Sequence, residues 1–397
     1  MTPHTDDCMG AAALPRTDRG LDRFLLDRVI DLAELGRFGA RPNPVVGALL
    51  ATPDGTVLAT GHHAAIGSAH AERVCLDGLT GDVPPDATLY VSLEPCSHHG
   101  RTPPCTDAII EHGVRRVVFS SGDPNPDTAG RGPARLAAAG IEVLRGPSDV
   151  ERRALQQNAG FHSVHLRGRP YVTAKWAMTS NGRFATGDPE QRWVSGAMSR
   201  ALVHGLRAGS GAVACGIGTV LADDPQMTVR GELADRVANA PLRVVLDRAL
   251  RLPLSSTLAR TAREAPVLVC CTHDAAPEHE LALREAGVEV WRAPAAHEPG
   301  APCMLAASLA MLADRGVNDL LLEAGPTLLQ AFWDGDLIDL AIAFVNGGVA
   351  PDDQPGLSLD HPLATRVLAE PAQPSGSDER HVAVLHPAWE IPGSCAG

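Results

Sequence analysis

Positive charge is what this chain is short of. Its 34 Lys and Arg are outnumbered by 47 Asp and Glu, for a net charge of −13. A protein whose affinity comes from neutralising phosphate backbones carries the opposite sign, so a DNA or tRNA partner is disfavoured and room is left only for a local basic pocket holding one phosphate. Long apolar runs are also missing. Those present, such as Leu340 to Val345, fall far short of the roughly 20 residues that span a bilayer, so no membrane partner is expected. The start, Met1-Thr2-Pro3-His4-Thr5-Asp6-Asp7, has no basic stretch ahead of an apolar one. No signal peptide is expected, and the cytoplasm is the default. The nine cysteines are an odd number and their spacing shows no disulfide framework. No segment reads as Gly-x-Gly-x-x-Gly, and there is no internal repeat.

What the chain does have is length and apolar content for two or three domains, with 397 residues, 44% hydrophobic and 20% charged. Residues 1 to about 18 mix small and polar types without a period and read as disordered. Apolar residues at Leu21, Phe24, Leu25, Val29, Leu32 and Leu35 then make a helical stripe ending at Gly36. Strands over 45–50 and 56–60, a helix opening near His70, strand 88–92, a helix near Cys105, strand 116–120, helix 133–139 and strand 141–144 follow. They form an alternating α/β unit. A helix over 148–160 links it to a second alternating unit, which opens with strand 171–177 and closes with strand 340–345. One more strand is expected at 381–385. The domains expected are 19–147 and 169–390, with 148–168 as linker.

The chemistry concentrates in His70-Ala71-Glu72, followed by Pro95-Cys96 and then Cys105. One histidine and two cysteines supply three ligands for Zn²⁺, with the fourth tetrahedral position left for water. Glu72 is poorly placed as a fourth ligand. It is better placed to take a proton from that water and hand one to a leaving amine, the arrangement of zinc deaminases. A His-x-Glu alone would carry little; with Pro-Cys and a second Cys in order it outweighs a structural zinc knot or two unrelated buried cysteines. His98 and His99 are near enough to compete as ligands and are expected to face the substrate instead. Cys75, Cys215, Cys270 and Cys271 read as packing residues.

Eight residues separate the two cysteines, where nucleic-acid and free-base deaminases space them by about two. The run from Glu94-Pro95-Cys96-Ser97-His98-His99 to Thr102-Pro103-Pro104-Cys105, with Pro42-Asn43-Pro44-Val45 upstream and Asp123-Pro124-Asn125-Pro126 downstream, closely resembles the deaminase half of the bifunctional riboflavin-biosynthesis deaminase/reductases. The resemblance implies an α/β chain: an N-terminal cytidine-deaminase-like three-layer domain plus a C-terminal dihydrofolate-reductase-like α/β domain. It implies that a phosphorylated diaminopyrimidinone ribosylamine is deaminated at Glu72, with Asn43 reading the pyrimidine edge and His63 beside the pocket. The ribosyl side chain is then reduced with NADPH, and a homo-oligomer is the expected assembly.

In the second half, Gly216-Ile217-Gly218-Thr219 alone reads as a strand-to-loop turn. It gains meaning with Leu221-Ala222-Asp223-Asp224-Pro225, Thr228-Val229-Arg230 and Glu323-Ala324-Gly325-Pro326, an ordered set similar to the reductase half of the same enzymes. The resemblance implies Ala177, Trp193, Thr219, Asp223 and the stretch Gly325, Pro326, Thr327, Leu328, Leu329, Gln330 and Ala331 at the cofactor. It implies Arg207, Met227, Arg230 and Glu323 at the substrate. Gly325 opens a helix whose N–H groups suit a cofactor phosphate, and Arg207 and Arg230 suit the substrate phosphate. Lys175, on the first strand of this half, suits polarising the opened ribosylamine or solvation at a strand end. The chain departs from the family pattern at Asn181, where an Asp is usual, and at Gln191 and Arg248, where serines are. The segment Val345-Asn346-Gly347-Gly348 replaces the usual Pro-x-Leu-Leu-Gly.

Two other readings stand beside this one. A deaminase fused to a degenerate, substrate-binding reductase-like module would bind NADPH without oxidising it. A nucleic-acid or free-base deaminase is opposed by both the acidic charge and the long cysteine loop.

Overall fold

The computed structural model describes residues 14–99, 103–184, 197–295, 303–346, 348–356, 373–374 and 379–385. They form two compact units that divide between Arg167 and Gly168.

The first unit is a five-stranded sheet between two layers of helices. Helix α1 (Gly20–Ala33) precedes strands β1 (Gly47–Ala51) and β2 (Val57–His62). Helix α2 (Ala71–Asp77), strand β3 (Thr88–Leu93), helix α3 (Cys105–Glu111) and strand β4 (Arg116–Ser121) come next, then helix α4 (Arg131–Ala138) and strand β5 (Glu142–Arg145). The order is β2-β1-β3-β4-β5, with β1 antiparallel to both neighbours and β3, β4 and β5 parallel. Strand β1 is buried along its whole length because its period of two feeds both layers. Ala48 and Leu50 pack with Ala71, Cys75 and Ile109 on one side. Leu49 and Ala51 pack with Leu25, Val29 and Ile30 on the other. Each large apolar side chain so buried contributes about 1.5–3 kcal/mol. The buried stripe of α1 is Leu25, Leu26, Val29, Ile30 and Ala33, whereas Phe24 and Leu35 are exposed. The sequence stripe was thus centred one position off the true core face.

Two other expectations change here. Residues 14–18 are not disordered: Thr17 N–H donates to the Arg145 carbonyl at 2.9 Å, and Arg145 N–H to the Pro15 carbonyl at 3.0 Å. The helix expected over 148–160 is present as α5 (Ser148–Gln157), and the remainder of the segment expected as linker is a second helix, α6 (Ala159–Arg167). They break at Asn158, whose buried amide accepts from Val45 N–H and donates to the Val45 carbonyl, both at 2.9 Å. Val150 and Ala154 of α5 are fully buried in the same cluster as α1.

His162 on α6 is buried, and its Nε2 has no hydrogen-bond partner. Burial, and then the charge of His165, pushes its pKa down to about 4. The unfolded side chain titrates near ~6.5, so between these values only the unfolded state takes the proton. The native state is therefore at full strength above pH ~6.5 and loses about 3 kcal/mol as pH falls to ~4. In urea melts between those limits, His162→Gln is expected to lose less stability than the parent chain. Parallel losses would show that His162 does not carry this dependence.

The second unit holds strands β6 (Tyr171–Thr179), β7 (Ala212–Gly216), β8 (Leu242–Leu246), β9 (Val267–Cys271) and β10 (Glu289–Arg292). Strands β11 (Asp319–Glu323), β12 (Leu340–Asn346), β13 (Gln373–Pro374) and β14 (Glu379–Leu385) complete it. Its helices are α7 (Ala197–Gly209), α8 (Ile217–Asp223), α9 (Thr257–Arg260), α10 (Glu278–Glu285), α11 (Met304–Asp314) and α12 (Pro326–Asp334). The sheet runs β10-β9-β8-β7-β11-β6-β12-β14-β13, parallel from β10 to β12 and antiparallel beyond. Neighbouring residues of β11 again feed opposite layers: Leu320 and Leu322 one core, Leu321 the other. Gly216-Ile217-Gly218-Thr219 is not a plain turn, since α8 starts at Ile217 with Gly216 as its N-cap.

Candidate active sites

In the first unit three elements each bring one soft donor to the same place. His70 stands in extended conformation as the N-cap of α2, Cys96 follows the end of β3, and Cys105 opens α3 behind Pro104. Gly61 of β2 lets α2 approach closely, since a Cβ there would lie 2.3 Å from the Ala71 carbonyl oxygen. His70 Nδ1, Cys96 Sγ and Cys105 Sγ all lie within 4.8 Å of one another, the one such group among the described residues. Two sulfurs and an imidazole fit Zn²⁺. The Cys105 backbone N–H donates to Cys96 Sγ at 3.3 Å, and helix-start N–H groups favour a thiolate. The Cys105 side chain holds the Cys96 thiol well below its ordinary range, and its own is pushed well up. Hydrogen bonding to Cys96 raises His70. His98 and His99 stay out of the ligand group, while Cys75 is fully buried in the core.

Glu72, in the first turn of α2, is 3% exposed. Burial first, and then the negative charge of Cys96, pushes its carboxyl up to about 7. A bound dication would act in the opposite sense. A cavity of about 490 Å³ opens over Glu72, His70 and Cys96, within the usual size range for small-molecule sites. Asn43 and His63 line it as a pair. His63 Nδ1 lies 3.2 Å from the Ala69 carbonyl, which can only accept. Nε2 is thereby left to accept the Asn43 amide N–H at 3.0 Å. Burial holds the His63 pKa below its ordinary value. The exposed His98 reaches the cavity, as its sequence position suggested; His99 does not line it.

Other walls of this cavity were not assigned from the sequence. Phe161 and His165 come from α6, their rings in edge contact at 4.7 Å. Their only signal was an i, i+4 spacing inside a segment read as linker. Glu94, Asp123, Asn125 and Thr128 line another side. Burial pushes Glu94 up to about 7.

In the second unit, the chain after β7 leads to β8 on one side, and after β11 it leads across β6 to β12 on the other. The adjacent strands β7 and β11 therefore bound a topological switch point, where α/β sheets open a crevice at their carboxyl ends. Helices α8 and α12 start there side by side. A Cβ at Gly216 would lie 3.3 Å from Leu328 Cδ2, and one at Gly325 would lie 3.9 Å from Thr219 Oγ1. Helix α12 has Gly325 as N-cap, no side-chain cap and Pro326 in its first turn. Its leading N–H groups suit an anionic pyrophosphate, so the residues present fit a dinucleotide. Thr219 and Gly325 lie at the crevice, and Ala177 stands in register with Phe344. Leu329 is buried in the core, as is Met227, which has φ +55°, so neither side chain is free to touch a ligand. Gln330 bonds Asp334 at 2.7 Å, Thr327 and Ala331 are exposed, and so are Asp223 and Arg230. Trp193 and Gln191 lie outside the described residues.

Arg207 and Glu323 meet directly. Arg207 Nε and Nη2 donate to the two Glu323 carboxylate oxygens at 2.6 and 2.9 Å, and Nη1 donates to the Thr228 carbonyl at 3.0 Å. Burial works to raise the Glu323 carboxyl, but this bidentate pairing outweighs it and holds the pKa below its ordinary value. Lys175 pairs in register with Glu323, and its Nζ lies 5.6 Å from the Phe344 ring centroid. His204, not singled out from the sequence, is lowered by burial and then by the charges of Arg207 and Arg230.

Comparison with known proteins decides the family. Residues 20–121 match the cytidine and deoxycytidylate deaminase zinc-binding region, and residues 170–349 match the RibD C-terminal domain. The riboflavin biosynthesis protein RibD of Aquifex aeolicus is 37% identical over 82% of this chain and 87% of its own length. That of Escherichia coli is 36% identical over 91% of this chain and 96% of its own. The chain belongs to the RibD family. Among solved RibD structures, one from Acinetobacter baumannii superposes with a TM-score of 0.78 at 32% identity, covering 92% of this chain and 98% of that one. A Thermotoga maritima diaminohydroxyphosphoribosylaminopyrimidine deaminase/5-amino-6-(5-phosphoribosylamino)uracil reductase gives 0.75 at 30% identity, with the same coverages. Against the RibD pattern, Asn181 acquires a structural explanation. Its Oδ1 accepts from Thr179 Oγ1 at 2.7 Å and Ala350 N–H at 3.1 Å, while its Nδ2 donates to the Ala350 carbonyl at 2.8 Å. A carboxylate could not make the last bond. Arg248 is exposed, and nothing in the structure explains it further.

Proposed function

We propose that this chain performs two successive steps of riboflavin biosynthesis. It hydrolytically deaminates diaminohydroxyphosphoribosylaminopyrimidine, then reduces the ribosyl side chain of 5-amino-6-(5-phosphoribosylamino)uracil to ribityl with NADPH. One observation carries the reading: a His70, Cys96 and Cys105 donor set beside the buried Glu72, in a chain whose other unit is a RibD reductase domain. The degenerate-module alternative is not favoured, because relatives at this identity extend over both units.

His70, Cys96 and Cys105 would hold the zinc. When bound, it supplies a Lewis acid that lowers the pKa of water to ~7. The protein's own part is proton management and orientation. Glu72 takes the proton of the attacking water and returns one to the exocyclic amine, which leaves as ammonia. The Asn43–His63 pair holds the pyrimidine edge. In the second unit, the α8 and α12 starts hold the cofactor phosphates, and Arg230 and Lys175 face the phosphoribosyl group. Hydride transfer needs the nicotinamide held near the sugar carbon and little else from the protein. Single phosphorylated pyrimidines suit a chain of net charge −13 better than nucleic acid does. A cytoplasmic homo-oligomer is the expected setting, its assembly readable by light scattering.

Cys105→Ala tests the metal set. The variant is expected to lose bound zinc and deaminase turnover while still oxidising NADPH on supplied deaminated substrate. Full metal content in that variant would remove Cys105 from the ligand set.

A further inference from the structure

Glu94 stands between the zinc-ligand loop and the opposite wall of the deaminase cavity, and no step above uses it. It is 6% exposed and immediately precedes Pro95-Cys96. Its Oε1 accepts from the Gly130 N–H at 2.7 Å and its Oε2 from the Asp123 N–H at 3.3 Å. Gly130 and Gly132 flank the first residue of α4, a helix whose N-cap makes no side-chain hydrogen bond. Glu94 thus caps α4 from just beyond the end of β3, where negative charge is favoured. The contact is tight on the other side too: a Cβ at Gly132 would lie 1.9 Å from the Pro95 carbonyl oxygen. The start of α4 therefore rests on the residue before Cys96.

The loop held this way forms a cavity wall. Asp123, Asn125 and Thr128 line the cavity. The Asp123 carboxylate is turned onto its own loop, accepting from the Asn125 N–H at 2.9 Å and the Thr128 hydroxyl at 2.7 Å. The wall is bonded within itself, and two backbone donors tie it to one carboxylate. We infer that Glu94 is a positioning residue for deamination: it fixes the spacing between the Cys96 loop and the 123–130 wall, and so the fit of the substrate. This rests on the deaminase reading above.

The test uses full-length, zinc-loaded Glu94→Gln and Gly132→Ala. Glu94→Gln sets an amide N–H against backbone donors, and Gly132→Ala pushes α4 off Pro95 with Glu94 intact. Deamination kinetics and zinc content are measured, with NADPH oxidation on supplied deaminated substrate as the control for the second unit. For Glu94→Gln, KM is expected to rise at least about tenfold with kcat changed less than about threefold and zinc retained. Gly132→Ala is expected to shift KM in the same direction and decides the matter if Glu94→Gln does not fold. An unchanged KM in a folded, zinc-loaded variant overturns the inference, as does failure of both variants to fold, which would make the contact one of stability alone. A parent protein that does not deaminate would count against the functional reading instead.

Discussion

Glu72→Gln is expected to keep the fold and the zinc and to lose deamination by at least about 10²-fold, the usual scale for a positioned acid/base. The glutamine is close in size, so the fully packed first turn of α2 has no cavity to collapse into. What is lost is the proton carrier. Glu72 is buried in the first turn of α2 beside the three metal donors, and its carboxyl can both accept and give a proton there. An amide does neither. Ammonia release and zinc content measured on the same preparation check this, and retained turnover with zinc bound would remove Glu72 from the mechanism.

Arg207→Ala is expected to abolish reduction and leave deamination intact. Arg207 was expected from the family pattern to hold the substrate phosphate. Its guanidinium also donates to both Glu323 oxygens and the Thr228 carbonyl. Removing it leaves the partly buried Glu323 carboxylate without its bidentate partner. It also frees Thr228, in the loop that leads to Arg230. A fall in NADPH oxidation of at least about 10²-fold is expected, with ammonia release unchanged. Loss of both activities together would show that the substitution acts on the whole chain rather than on this pair.

Much of this was legible in the sequence, for reasons that differ by element. Strand 116–120 and strand 340–345 were read to within one residue of their observed bounds, 116–121 and 340–346, because buried strands are largely apolar runs. The zinc set was legible because ligand chemistry allows few residue types. The helix expected over 148–160 is present as α5, but its packing into the first core was not legible from hydrophobicity alone. Val150 and Ala154 pack with α1, but the junction is held by Asn158 through two backbone bonds to Val45, and an asparagine in a polar stretch reads as surface. The cavity-lining Phe161 and His165 went with it. At Met227 and Leu329, positions the family pattern marks, the structure turns the side chains into the core. The resemblance put Arg207 and Glu323 at one site, but their direct pairing was not legible because they are 116 residues apart, and no local pattern links them.

The central claim is that one chain carries both reactions, and one time course tests it most directly. The zinc-loaded protein is given the diaminopyrimidine substrate without NADPH, and NADPH is added once ammonia release is complete. The account predicts one ammonia per substrate before the addition and no ribityl product. After it, one NADPH is oxidised per ammonia released, with the ribitylamino pyrimidine as product. Ammonia release followed by bound but unoxidised NADPH would contradict the account.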